Sequence, residues 1–141
     1  MNFWDSSAIL PLLVNEAASG ATRQYVETQP EMAIWWATPV ECMSALARKE
    51  REGRLELSQM IAAEKNLDLI ASNSVTIDAT DRVRLLARKL LRRYPLRAAD
   101  SLQLAAACVL AGDATSEYGF VCNDERLTIA ASKEGFAIVS F

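Results

Sequence analysis

The chain has 141 residues, 51% of them hydrophobic and 23% charged, the composition of one globular domain large enough to bury a core. A net charge of −3 gives no global positive field to draw in nucleic acid, so any such contact needs a local patch. The absence of histidine removes Ser-His-Asp and Cys-His triads, HExxH sites and most catalytic zinc sites, and the three dispersed cysteines fit neither a zinc nor a disulfide frame.

The N-terminal MNFWDSSAILPLLVNE has no basic leader and meets an acid at position 5, so it does not read as a signal peptide. The longest uncharged run, residues 101–112, is too short to span a bilayer. A reduced, cytoplasmic domain without a membrane segment is the expectation. NFW (2–4) reads as a short strand closed by Asp5-Ser6-Ser7, and SAILPLLVNE follows with helical spacing. Residues 17–28 form a second helix. MAIWWA (32–37) is a strand in which Trp35 and Trp36 point to opposite faces, a pattern that suits core packing on both sides better than base stacking. Thr38-Pro39-Val40-Glu41 reads as a capping box with Pro at the first helical position, opening a helix that Gly53 ends.

A helix over 57–71, a strand over 74–79 and a strongly amphipathic helix over 80–94 come next. YPLRAADSLQLAAACVLAG (94–112) reads as a helix entered after Pro95, apolar nearly all round and therefore buried. YGFVCN (118–123) is a strand, DERLTIAASKE a helix ended by Gly135, and FAIVSF (136–141) a last strand. There is no repeat or linker, so residues 1–141 form one domain. The alternation predicts an α/β fold with a mainly parallel sheet, in which ligands bind beyond the carboxyl ends of the strands.

Four acids stand where helices begin: Asp5, Glu41, Asp100 and Asp124. Each has a structural explanation. Asp5 and Asp124 are good N-caps, Glu41 ends one capping box, and Asp100-Ser101-Leu102-Gln103 reads as a second. A different explanation covers the set. The acids lie in apolar surroundings, where repulsion between converging carboxylates is costly, and a divalent cation such as Mg²⁺ or Mn²⁺ removes that cost. The residues alone leave caps and metal ligands both open.

MNFWDSSAIL, WATPVECMSAL, YPLRAADSLQLAAA and FVCNDERLTIAASKEGFAIV resemble, in that order, the four acidic motifs of the PIN-domain family, most nearly its small VapC-like toxins. The resemblance spans essentially the whole chain. It implies a PIN-like domain with a five-stranded parallel sheet flanked by helices, and an Mg²⁺- or Mn²⁺-dependent ribonuclease leaving a 5′-phosphate and a 3′-hydroxyl. It implies Asp5, Glu41, Asp100 and Asp124 as metal-binding acids with Ser6 as a helper. It further implies a cognate antitoxin that inserts a segment into the groove, and a homodimer. The chain departs from the pattern at Cys122, where the family often has Thr.

DRVRLLARKLLRRYPLR (81–97) carries seven basic residues. Its polar face is either merely solvated or suited to a phosphate backbone or an acidic partner protein, with Arg84, Arg88 and Arg92 as candidate RNA contacts. Arg97 could reach a substrate phosphate or pair with Asp100. Two other functions compete. A phosphotransfer domain would need a second acid near Asp5 or a lysine after a late strand, and the chain has Ser7 and a helical Lys133 instead. A non-catalytic PIN-like module binding RNA or protein would use the acids as caps alone.

Overall fold

A computed structural model describes residues 1–141. Five short parallel strands, β1 (Asn2–Trp4), β2 (Met32–Trp35), β3 (Val75–Ile77), β4 (Gly119–Val121) and β5 (Ala137–Val139), lie in the order β3-β2-β1-β4-β5. Seven helices flank them: α1 (Ser6–Leu13), α2 (Ser19–Thr28), α3 (Thr38–Arg51), α4 (Leu57–Asn73), α5 (Asp81–Arg93), α6 (Ala98–Ala111) and α7 (Glu125–Lys133). A single 3₁₀ turn, Thr115–Glu117, leads into β4. The sequence expectation of one mainly parallel α/β domain holds, with every strand pair parallel.

Alternation along the strands divides the core. Phe3, Ala33, Trp35, Phe120 and Cys122 face α5, α6 and α7, whereas Trp4, Met32, Ile34 and Val121 face α1, α3 and α4. Both faces of the sheet are therefore covered, as a parallel sheet requires. Helix α6 is the most buried helix; Leu104, Ala105 and Ala106 are fully enclosed, and its alanines let α5 and the sheet approach closely.

The expected helix ends at Gly53 and Gly135 are present, with φ of +73° and +100°, a left-handed backbone that glycine adopts without strain. Trp36 departs from expectation. The strand stops at Trp35, which is buried, and Trp36 turns out at the carboxyl edge with 59% of its surface exposed. It is not a core residue.

The chain runs from β1 outward to β2 and β3, then returns to the other side of β1 for β4 and β5. The strand order thus reverses between β1 and β4, the place where open parallel sheets form a ligand crevice. Asp5 follows β1 and Asp124 follows β4, one on each side of that crevice.

Candidate active site

Asp5 caps α1. Its Oδ2 accepts the Ser7 N–H at 3.0 Å and the Ser7 hydroxyl at 2.5 Å, and the side chain is almost fully buried. Burial pushes its carboxyl pKa up; the Ser7 bonds work against that, and the Asp100 charge adds to it. Asp124 caps α7 by accepting the Leu127 N–H at 2.9 Å and stands exposed. Both caps agree with expectation.

The other two acids are placed differently from the capping boxes read in the sequence. Helix α3 is entered at Ala37, not Thr38; the Thr38 side chain is buried and exchanges hydrogen bonds with Gln103 of α6. Glu41 therefore closes no box. Its Oε2 accepts the Ser6 hydroxyl at 3.1 Å, which joins α3 to α1. Burial raises the Glu41 pKa to about 6, helped by the Asp5 and Asp100 charges and opposed by Gln103 and Ser6. Asp100 is not the N-cap of α6 either. Arg97 holds that position and Asp100 sits three residues in, accepting the Arg97 N–H at 3.2 Å. Its pKa is also raised, by burial first and by the Asp124 charge, with the Arg97 N–H and the Arg97 and Arg126 charges opposing.

The charges of Asp5, Glu41 and Asp100 thus act on one another, and Asp124 acts on Asp100. The ion pairs of the chain engage other carboxylates, so none of the four acids has a cationic partner within bonding distance. Carboxylates without an ion pair at one edge are the donor set that a hard divalent cation fits. No three of them are close enough to enclose an ion by themselves. An ion held here would have to keep several waters and bind one or two carboxylates directly, as Mg²⁺ is able to do.

Cys122 stands where a threonine was expected to orient the last acid. Its sulfur accepts the Asp124 N–H at 3.3 Å and lies 3.6 Å from Asp5 Oδ2, so the thiol bridges these two acids. Burial and the Asp5 charge push its pKa up to about 12, which keeps it a neutral thiol.

A groove of about 370 Å³ opens over this edge, lined among others by Ser6, Glu41, Ser44, Arg48, Arg97 and Asp124. Of the four basic candidates from the sequence, only Arg97 lines it. Arg84, Arg88 and Arg92 lie on the exposed face of α5; Arg84 pairs with Asp81 and borders a separate hollow beside Trp35.

Sequence reasoning passed over Ser7 and Asn123. The Ser7 hydroxyl accepts the Asn123 N–H at 2.9 Å while donating to Asp5. The position of Ser7 two residues after a capping Asp was the available signal, because such side chains bond the backbone two residues on. Arg48 was also missed, although it lies seven residues after Glu41 and so on the same helical face.

A family model described as the PIN domain matches residues 3–132. The chain belongs to the PIN-domain family. Among its relatives, Ribonuclease VapC46 of Mycobacterium tuberculosis is 32% identical over 139 residues, 98% of this chain and 95% of that protein. A toxin-antitoxin complex from Klebsiella pneumoniae contains a chain that superposes with a TM-score of 0.67 at 16% identity, covering 99% of this chain and 96% of that one. VapBC2 from Rickettsia felis, solved bound to a DNA fragment from its promoter, superposes with a TM-score of 0.65 at 13% identity, covering 99% and 98%. At those identities the two structures speak for the fold.

Proposed function

We propose that the chain is an Mg²⁺- or Mn²⁺-dependent endoribonuclease, the toxin of a toxin–antitoxin pair acting in the cytoplasm. One observation carries this reading: four acids from distant segments stand at the reversal point of the sheet, near enough for their charges to act on one another, and none of them is in a salt bridge. The family, and the ribonuclease named among its relatives, supports the choice of RNA. When bound, the metal lowers the pKa of a water and neutralises charge at the phosphate.

The chain's own residues prepare that step. Asp5, Asp100 and Asp124, at the starts of α1, α6 and α7, would hold the ion, one or two of them directly and the rest through its waters. Glu41, steadied by Ser6, would accept a hydrogen bond from the attacking water; Cys122 and Ser7 hold Asp5 and the Asp124 turn together. The helix N-termini add a positive potential suited to phosphate. A cognate antitoxin occupying the groove and a homodimer are part of the proposal.

A second reading, a non-catalytic module whose acids are structural, is favoured by a specific observation. Asp5, Asp100 and Asp124 each already serve an N–H at a helix start. Purified protein incubated with RNA and Mg²⁺ or Mn²⁺ separates the two. Cleavage abolished by excess EDTA is expected; cleavage that survives EDTA, or no cleavage together with no Mn²⁺ binding by calorimetry, overturns the metal mechanism.

A further inference from the structure

Two arginines share the acidic groove, and neither is ion-paired there, although the Arg97 charge is felt by Asp100. Arg48 extends from α3 and Arg97 from the entry of α6, and both line the groove together with Glu41 and Asp124. Neither guanidinium has a hydrogen bond or a carboxylate within 4.0 Å. The nearest acid along the chain four residues from Arg48 is Glu52, the C-cap of α3, but Glu52 pairs with Arg54. Arg97 gives Asp100 its backbone N–H and, from beyond ion-pair distance, the influence of its charge. A guanidinium presents planar, forked donors that match a phosphate, and it cannot lose its charge.

We infer that Arg48 and Arg97 form a two-sided clamp for the RNA backbone, holding phosphates that flank the one over the carboxylates. This rests on the ribonuclease reading above. Along α3, Arg48 stands about 10 Å beyond Glu41, close to two helical turns, so it reaches a neighbouring phosphate rather than the scissile one. Their charge also answers a difficulty of the site. Four acids repel a polyanion, a divalent ion offsets only part of that charge, and two unpaired guanidinium groups at the rim offset more. The clamp is separate from the basic face of α5, whose Arg84 and Arg93 are drawn into pairs with Asp81 and Glu134.

The test uses the full chain and a short fluorescein-labelled single-stranded RNA. Binding is followed by anisotropy in Ca²⁺, with the RNA checked on a gel to be uncut, from about 50 to about 200 mM KCl. Arg48→Gln and Arg97→Gln should each weaken binding several-fold and reduce the salt slope by about one. Arg48→Lys should keep the slope while losing affinity, because a point charge replaces a fork. Lys65→Gln, on exposed α4, should leave both quantities unchanged. In Mg²⁺ cleavage assays the glutamine variants should raise KM with little change in kcat. Unchanged affinity and slope in both glutamine variants, in a wild-type protein that cleaves RNA, overturn the clamp and leave the ribonuclease reading intact. A wild-type protein that cleaves no RNA overturns that reading, and the clamp falls with it.

Discussion

Ser7 and Asn123, 116 residues apart in the chain, hold each other at two points: the Asn123 N–H donates to the Ser7 hydroxyl at 2.9 Å, and the Asn123 side-chain amide donates to the Ser7 carbonyl at 3.4 Å. That carbonyl is free because its partner in an α-helix would be the N–H of residue 11, and residue 11 is proline. A proline inside a short helix thereby leaves an acceptor that the turn after β4 fills, and the turn carries Asp124. Ser7→Ala should cost about 1–3 kcal/mol in urea unfolding, because it strands a donor and deprives buried Asp5 of a bond. Asn123→Ala should cost less in a Pro11→Ala background than in the wild type, since alanine restores the helical donor. A double-mutant cycle with no coupling would show the two residues to be independent.

Cys122 makes a second link between the same two acids. Cys122→Ser keeps an acceptor for the Asp124 N–H and a donor toward Asp5, so it should fold and cleave nearly as the wild type does. Cys122→Val removes both and strands the Asp124 N–H; a loss of about 1–3 kcal/mol with a larger loss of cleavage is expected. Equal behaviour of the two variants in unfolding and cleavage assays would mean that Cys122 serves only to fill space.

The raised pKa of Glu41 makes metal-free stability depend on pH with a definite sign. Folding lifts the carboxyl from its ordinary 4.5 to about 6, so the folded chain binds the proton more tightly than the unfolded chain. Its favourable contribution is full below pH 4.5 and is lost as pH rises through about 6. Glu41→Gln should therefore match the wild type near pH 4 and melt at a higher temperature near pH 7 when no metal is present. Added Mg²⁺ should shrink or reverse that advantage. Melting curves across this range check it, and a gap between the proteins that does not change with pH would contradict it.

Asp100→Asn separates ligand from helix-terminal acceptor. Asparagine still offers an oxygen to the Arg97 N–H, so a purely structural Asp100 predicts a small loss of stability and normal cleavage. As a member of the charged set, Asp100 predicts metal-free stability equal to or above the wild type, because one repulsive charge is gone. It also predicts a smaller rise in Tm with Mg²⁺ and cleavage reduced by orders of magnitude. Melting with and without Mg²⁺, beside one cleavage assay, distinguishes the outcomes.

The sequence by itself determined the α/β order, the parallel sheet, the burial of α6 and the four acids at helix starts. These are local properties: alternation of apolar residues, glycine stops and short polar caps act over a few residues and survive without knowledge of neighbours. Asp5 and Asp124 were legible as caps for that reason. What only the tertiary structure decided is what each acid touches. Thr38 abandons its expected cap because Gln103, 65 residues away, offers a buried partner, and Glu41 consequently turns to Ser6. Trp36 leaves the core because β2 ends one residue earlier than its apolar run. Arg48 gains its place at the rim of the groove only when α3 packs beside α1 and shares the groove with Arg97 at the entry of α6. Each of these outcomes depends on a hydrogen bond or an opening formed between segments distant in the chain, and no local pattern encodes which distant partner arrives.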